Sequence, residues 1–159
     1  MHPHSWPAVL VTGMSGTGKS TALAELGRRG HRVVDTDDPG WIEVVGAEPR
    51  WREDAIRALL AEPRDAALFV QGTVANQGRF YPVFDAVVLL SAPLEVMLER
   101  VSQRTNNPFG KADDERERIV RDTASVEPLL RASATAEIDT RVPVREVADQ
   151  LERWAARGR

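Results

Sequence analysis

The chain has 159 residues, a formal net charge of −3 and no cysteine. That length is one ordinary domain, able to bury a continuous core without disulfides or a structural metal. The missing thiols exclude cysteine catalysis, thiolate metal sites and a disulfide scaffold, and they point to a reducing cytosol.

The nearly balanced charge argues against a duplex-binding surface, so nucleic acid is not an expected partner; a small anionic ligand held locally is compatible with it. Met1–Pro7 lacks the basic and apolar pattern of a signal peptide, and no later stretch reaches the length of a membrane span. The expectation is a soluble cytoplasmic protein, monomeric or a small homo-oligomer.

Ala8-Val9-Leu10-Val11-Thr12 is an apolar run closed by Gly13, the pattern of a strand buried on both faces of a parallel sheet. From Lys19 the spacing turns helical, with Ala22, Leu23 and Leu26 on one side and Gly30 placed as a cap. Arg32-Val33-Val34-Asp35 predicts a second strand that ends in the acids Asp35, Asp37 and Asp38 before Pro39-Gly40. Pro49 is expected to open a helix whose buried face carries Trp51, Ala55, Ala58 and Leu59. Ala66–Val70 and Ala86–Leu90 predict two further strands, separated by a polar segment from Thr73 to Tyr81. Pro93 starts a helix with Leu94, Met97, Leu98 and Val101 in phase. Turn formers then break the pattern from Arg104 to Lys111, and the charged stretch from Asp113 to Arg121 predicts another helix. Ala134–Asp139 is a last strand, and after Pro143 a helix places Val144, Val147, Leu151 and Trp154 on one face.

Strands alternating with helices imply a parallel sheet of about five strands with helices on both faces, and ligands in such sheets sit beyond the C-terminal strand ends. Gly13-Met14-Ser15-Gly16-Thr17-Gly18-Lys19-Ser20 lies at the first such end and fits the spacing G-x-x-x-x-G-K-[ST]. The glycines let consecutive backbone N–H groups turn inward around an anion, and the helix that starts at Lys19 adds its positive dipole end. Lys19 is placed to reach the β- and γ-phosphates of ATP, Ser20 to ligate Mg²⁺, and Thr21 to meet an α-phosphate oxygen.

Together with Asp35-Thr36-Asp37, the segment Gly13–Thr21 resembles the shikimate kinase, gluconate kinase and nucleoside monophosphate kinase group of P-loop kinases. The resemblance implies a three-layer α/β P-loop fold, a single domain over residues 1–159, and a short lid at approximately 104–115. It implies Asp35 as the metal-side carboxylate and Asp37 as the acceptor-side base. It also implies lid arginines directed at ATP, here Arg100 and Arg104 one helical turn apart, with Lys111 joining on closure and Arg104 serving catalysis. Thr140, Arg141 and Val142 follow the last strand, where this group contacts the edge of adenine.

The chain departs from shikimate kinases after the third predicted strand, where they carry a glycine triplet and this sequence reads Gln71-Gly72-Thr73-Val74-Ala75-Asn76-Gln77-Gly78-Arg79. That points away from shikimate itself. Gln71, Gly72 and Arg79 suit recognition of some other polar acceptor. Gln71 stands where many P-loop proteins end a strand with a metal-organising acid, so more of the Mg²⁺ organisation falls to Asp35.

The expected activity is ATP- and Mg²⁺-dependent phosphoryl transfer to a small polar acceptor. Asp-x-Asp favours a hydroxyl metabolite, while Arg52 and Arg79 keep a nucleoside monophosphate in view. A nucleotide-dependent switch or NTPase without a small acceptor is the alternative reading, and a nucleic-acid-end kinase is disfavoured by the charge balance. Trp41, Phe80 and Tyr81 are candidates for a base-binding pocket, and Trp51 reads as core. His2, His4 and His31 show no metal-ligand spacing.

Overall fold

The protein is described by a computed structural model over residues 6–103 and 113–157; Arg104, Lys111, most of the expected lid span, His2 and His4 lie outside the described residues. In chain order the elements are β1 (Ala8–Thr12), α1 (Lys19–Arg28), β2 (Arg32–Asp35), β3 (Ile42–Val45), β4 (Glu48–Trp51), α2 (Glu53–Ala61), β5 (Leu68–Gln71), β6 (Ala86–Ser91), α3 (Leu94–Ser102), α4 (Asp113–Ser133), β7 (Ala136–Asp139) and α5 (Val144–Arg157). A 3₁₀ segment, Gln77–Val83, precedes β6.

Five strands form one sheet in the order β2-β5-β1-β6-β7, and every neighbouring pair is parallel. The central strands are buried along their whole length, as continuous apolar runs require when both faces are covered. Side chains alternate between those faces. Val9, Val11, Phe69, Val88 and Leu90 pack with Leu23, Leu26 and Leu151 from α1 and α5. Ala8, Leu10, Leu68, Val70 and Val87 pack with Trp51, Ile56, Leu59, Phe80 and Phe84 on the other side. The architecture is the three-layer α/β arrangement expected from the sequence.

The region after Pro39 differs from its sequence reading. Pro49 does not open a helix; it lies in β4, which pairs antiparallel with β3 in the register Ile42↔Trp51 and Val44↔Pro49. Gly46 and Ala47 at the turn take φ of 58° and 66°, the paired left-handed conformation that suits a tight hairpin. A two-stranded ribbon has open edges, so it tolerates the missing proline N–H. The Asn76 side chain acts as a further strand for Trp51, accepting its N–H at 2.8 Å and donating to its carbonyl at 3.0 Å.

α2 starts only at Glu53, and the later start changes the helical phase. Its buried residues are Ile56 and Leu59, while Ala58 is exposed. Trp51 is core, 1% exposed, but it reaches the core from a strand.

Candidate active site

β1 ends at Thr12 and the chain turns through Gly13–Gly18 before α1 begins. Two inward side chains hold this turn. Met14 packs with Leu89, Met97 and Leu130, and the buried Thr17 hydroxyl donates to the Met14 carbonyl at 2.8 Å. Gly16 has φ 85°, and a Cβ there would lie 2.6 Å from the Met97 carbonyl oxygen. Only glycine therefore lets the loop rest against α3 in this conformation.

The concave side of the loop is a space of about 100 Å³ lined by residues 14–20, Asp37 and Gln71. It opens at the N-terminus of α1, where backbone donors and the helix dipole favour an anion. The Lys19 ammonium donates to the Gly13 carbonyl at 2.5 Å and to the Met14 carbonyl at 3.1 Å, which keeps it at the rim of this space.

Beside it, a pocket of about 250 Å³ is lined by Gly18, Thr21, Ala22, Arg100, Thr140, Val142, Val144 and Val147. The fork of Arg100 binds the Gly16 carbonyl at 3.2 Å, the Thr140 hydroxyl at 2.9 Å and the Thr140 carbonyl at 2.9 Å. Thr140 is anchored in turn, its N–H donating to the Ser91 carbonyl at 2.9 Å. The phosphate loop and the β7–α5 connection are thus joined through one guanidinium. Thr21, Arg100, Thr140 and Val142 come together here. Arg141 does not; it engages Asp139 at 2.7 Å and holds that carboxyl below its ordinary range.

The acids lie where β2 ends: Asp35 is its last residue and Asp37 stands in the turn that follows. Thr36 is fully buried, donating to the Gln71 carbonyl at 2.8 Å and accepting from the Trp51 indole at 3.0 Å. Asp35 and Asp37 face the loop. Parallel register sets Asp35 beside Gln71, and the Gln71 amide donates to Asp35 at 2.5 Å and to Asp37 at 3.3 Å. The Asp37 N–H donates to Asp35 at 2.9 Å, and the Ser20 hydroxyl points at the other Asp35 oxygen across 3.5 Å.

Among the described residues no group of three or more His, Cys, Asp or Glu side chains is arranged to hold a metal unaided. Ser20 with Asp35 is instead a hard-oxygen pair at the phosphate cradle, the donor set that suits Mg²⁺ sharing its remaining ligands with nucleotide phosphates and water.

Outside this acidic end lies a cleft of about 460 Å³, lined by Gly13, Met14, Ser15, Lys19, Asp37, Glu48, Pro49, Gln71, Thr73, Val74, Ala75, Asp122, Val126 and Leu130. Gly72 and Arg79 are not among these residues. A Cβ on Gly72 would meet the Thr36 hydroxyl at 2.5 Å and the Trp51 ring at 3.0 Å, so this glycine serves the packing behind the site. Arg79 is 69% exposed and lies 3.5 Å from Glu53, on a separate surface.

Sequence reasoning marked the 71–79 segment but did not single out Thr73, whose hydroxyl donates to the Gly13 carbonyl at 2.7 Å and accepts the Gly13 N–H at 3.2 Å. Its position two residues beyond Gln71 was the available signal. Glu48 and Asp122 were also missed, because the hairpin and α4 meet the site only through tertiary packing.

The family described as an AAA domain matches residues 9–121. A nucleotide-binding protein of Roseobacter denitrificans is 31% identical over 94% of this chain, and the chain spans about half, 52%, of that relative's length. A shikimate kinase of Francisella tularensis subsp. novicida is 28% identical, with 83% of this chain and 84% of the relative covered. The solved shikimate kinase from Acinetobacter baumannii, in complex with shikimate, superposes with a TM-score of 0.66 at 17% identity, covering 98% of this chain and 96% of that one. No helix among the described residues is long and apolar enough to cross a membrane. The chain belongs to the AAA domain family of P-loop proteins, in the group that contains the small-molecule kinases.

Proposed function

We propose that the protein is an ATP- and Mg²⁺-dependent kinase that transfers the γ-phosphoryl group to a hydroxyl on a small polar acceptor. The observation that carries this reading is the bridge Asp35–Gln71–Asp37, with Gln71 donating at 2.5 Å and 3.3 Å, set between the phosphate loop and the 460 Å³ cleft. A switch that only binds nucleotide has no need of a second carboxylate facing a second cleft.

Bound Mg-ATP supplies the phosphoryl group and leaves as Mg-ADP when the β–γ bridge breaks. The chain's own residues supply the rest. Lys19 and the loop N–H groups neutralise phosphate charge, which is most of what phosphoryl transfer asks of a protein. Ser20 and Asp35 would hold Mg²⁺, which would share the charge of the phosphates. Asp37 orients the acceptor hydroxyl and takes its proton as the oxygen–phosphorus bond forms. Gln71 fixes both carboxylates from behind, so each keeps its place when the other changes charge or partner. Arg100, Thr140 and Val142 seat the base, and Thr73 braces the loop entrance.

The test is ADP release measured against a panel of hydroxyl metabolites and nucleoside monophosphates, with wild type and Asp37→Asn run side by side. Acceptor-dependent release that is lost in the variant, with Mg-ATP binding kept, is the expected outcome. Release that ignores every acceptor and survives the substitution contradicts the proposal and favours an NTPase or switch.

A further inference from the structure

Resting on the kinase reading, we infer that the acceptor is a hydroxyl compound carrying a cationic, amine-type group, and that carboxylate- or phosphate-bearing acceptors are excluded from this cleft. Three observations converge on that class.

The first is charge. The described lining of the acceptor cleft contains the carboxylates of Asp37, Glu48 and Asp122 and one cation, Lys19, which already serves the phosphate loop; Glu48 is ion-paired with Arg50 at 3.5 Å, so the excess negative charge rests on Asp37 and Asp122. Bound Mg-ATP adds further negative charge at the same mouth. An anionic acceptor would face the like charge of Asp37, Asp122 and the nucleotide, whereas an ammonium would be attracted by it. Asp122 is exposed where α4 lines the cleft, so its carboxylate is open to a ligand. Val126 and Leu130, from the same helix, with Val74 and Ala75 opposite, provide an apolar wall for a carbon skeleton.

The second is where the arginines went. Arg50, Arg52 and Arg57 line a different pocket, with Glu43, Glu53 and Asp54. Arg52 lies 4.0 Å from Glu43 and Arg57 pairs with Glu53 at 3.1 Å, while Arg50 turns to Glu48 of the acceptor cleft at 3.5 Å. Arg79 joins the same acidic group through Glu53. Arg52, Arg57 and Arg79 are thus held away from the cleft that borders Asp37, and Arg50 reaches its edge already paired with Glu48.

The third is Gln71. Its side chain lines the cleft, it is 1% exposed, and its Oε1 is buried without a partner. The amide orientation is forced, because the nitrogen must face the two carboxylates. The orphaned atom is therefore an acceptor, and leaving one unpaired is costly. It calls for a donor. The hydroxyl or an ammonium of the acceptor supplies one, whereas a carboxylate or phosphate group placed there would not.

The test separates charge preference from catalysis. Binding of glucosamine, glucose and glucuronate, three probes matched in skeleton and differing in charge, is titrated by NMR into the full-length protein loaded with a non-hydrolysable Mg-ATP analogue. ADP release from Mg-ATP is recorded in parallel. The expected order of affinity is glucosamine over glucose over glucuronate, with Asp122→Asn lowering the glucosamine affinity about tenfold and leaving glucose within about twofold. Glu48→Gln repeats the test from the other wall of the cleft. Glucuronate binding as tightly as glucosamine, an order unchanged by both substitutions, or no binding of any probe overturns the inference. A retained charge order without acceptor-dependent ADP release, here and across the wider panel, instead counts against the kinase reading, while turnover that is best with an anionic acceptor keeps that reading and overturns this one.

Discussion

The two ends of the cleft are built from different materials. The nucleotide end is made of backbone: a glycine-bearing loop against α3, carbonyls that receive Lys19, and the Arg100 fork that ties Gly16 to Thr140. The acceptor end is made of side chains from distant segments, the Asp35–Gln71–Asp37 bridge, Glu48 on the hairpin and Asp122 on α4. Backbone geometry survives sequence change, so the nucleotide end serves a common task across a family. Side chains on a ribbon and a helix can change without disturbing that backbone, and on the proposed kinase reading they would set the acceptor. The exposed Val44 and Val45 mark the tip of the hairpin as clear of the core, which the ribbon enters at its base through Trp51.

If the division is right, substitutions at the acceptor end cut turnover without touching nucleotide affinity. Asp37→Asn is expected to have the largest effect of this kind, a fall in kcat of about 10²–10⁴-fold, with the Kd for Mg-ATP by calorimetry unchanged within about twofold. Lys19→Ala is expected to breach the other end, lowering kcat about 10²–10³-fold and weakening Mg-ATP binding in the same titration.

Gln71→Ala releases both carboxylates at once and is expected to cost about 10–100-fold in activity, with a rise in the Mg²⁺ concentration needed for half-maximal rate. That shift distinguishes a positioning role from a loss of acceptor contact alone. Gly72→Ala forces a methyl against Thr36 and Trp51 and is expected to destabilise the fold by about 1–3 kcal/mol in urea unfolding, leaving nucleotide affinity intact once folded.

The smallest effect concerns pH. Arg131, then Ser91, hold the Glu137 carboxyl below its ordinary range, linking β6, β7 and α4. A carboxyl lowered on folding contributes stability above its unfolded value of 4.5, and loses it as pH falls from there through the folded value. Because the ion pair is partly solvated, Glu137→Gln is expected to flatten that acid limb by no more than about 1 kcal/mol.

How far the sequence reveals each end follows from the same contrast. The loop, α1, the parallel sheet and the Asp-x-Asp position are written in local patterns: glycine spacing, apolar runs and an acidic cluster placed where a strand meets a Pro-Gly turn. The hairpin is misread as helix because Pro49 is a common helix opener and because Trp51, Ala55 and Leu59 also fit a helical period. What decides against it is Gly46-Ala47 in the left-handed region and the Asn76 amide on Trp51, one a weak signal and the other a long-range contact. Arg79 has acceptor-like chemistry in the right segment, yet the 3₁₀ turn carries it to Glu53. Asp122 sits in a charged helix that gives no hint of which residues face inward.

The most direct test of the kinase assignment is stoichiometry. Wild type incubated with Mg-ATP and a fractionated extract of small metabolites is assayed for ADP by chromatography and for new phosphorylated species by mass spectrometry. One acceptor gaining a phosphoryl group for each ADP released, with both signals lost in Asp37→Asn while that variant still binds Mg-ATP, is the predicted result. ADP appearing at the same rate with and without the extract, in wild type and Asp37→Asn alike, would contradict it.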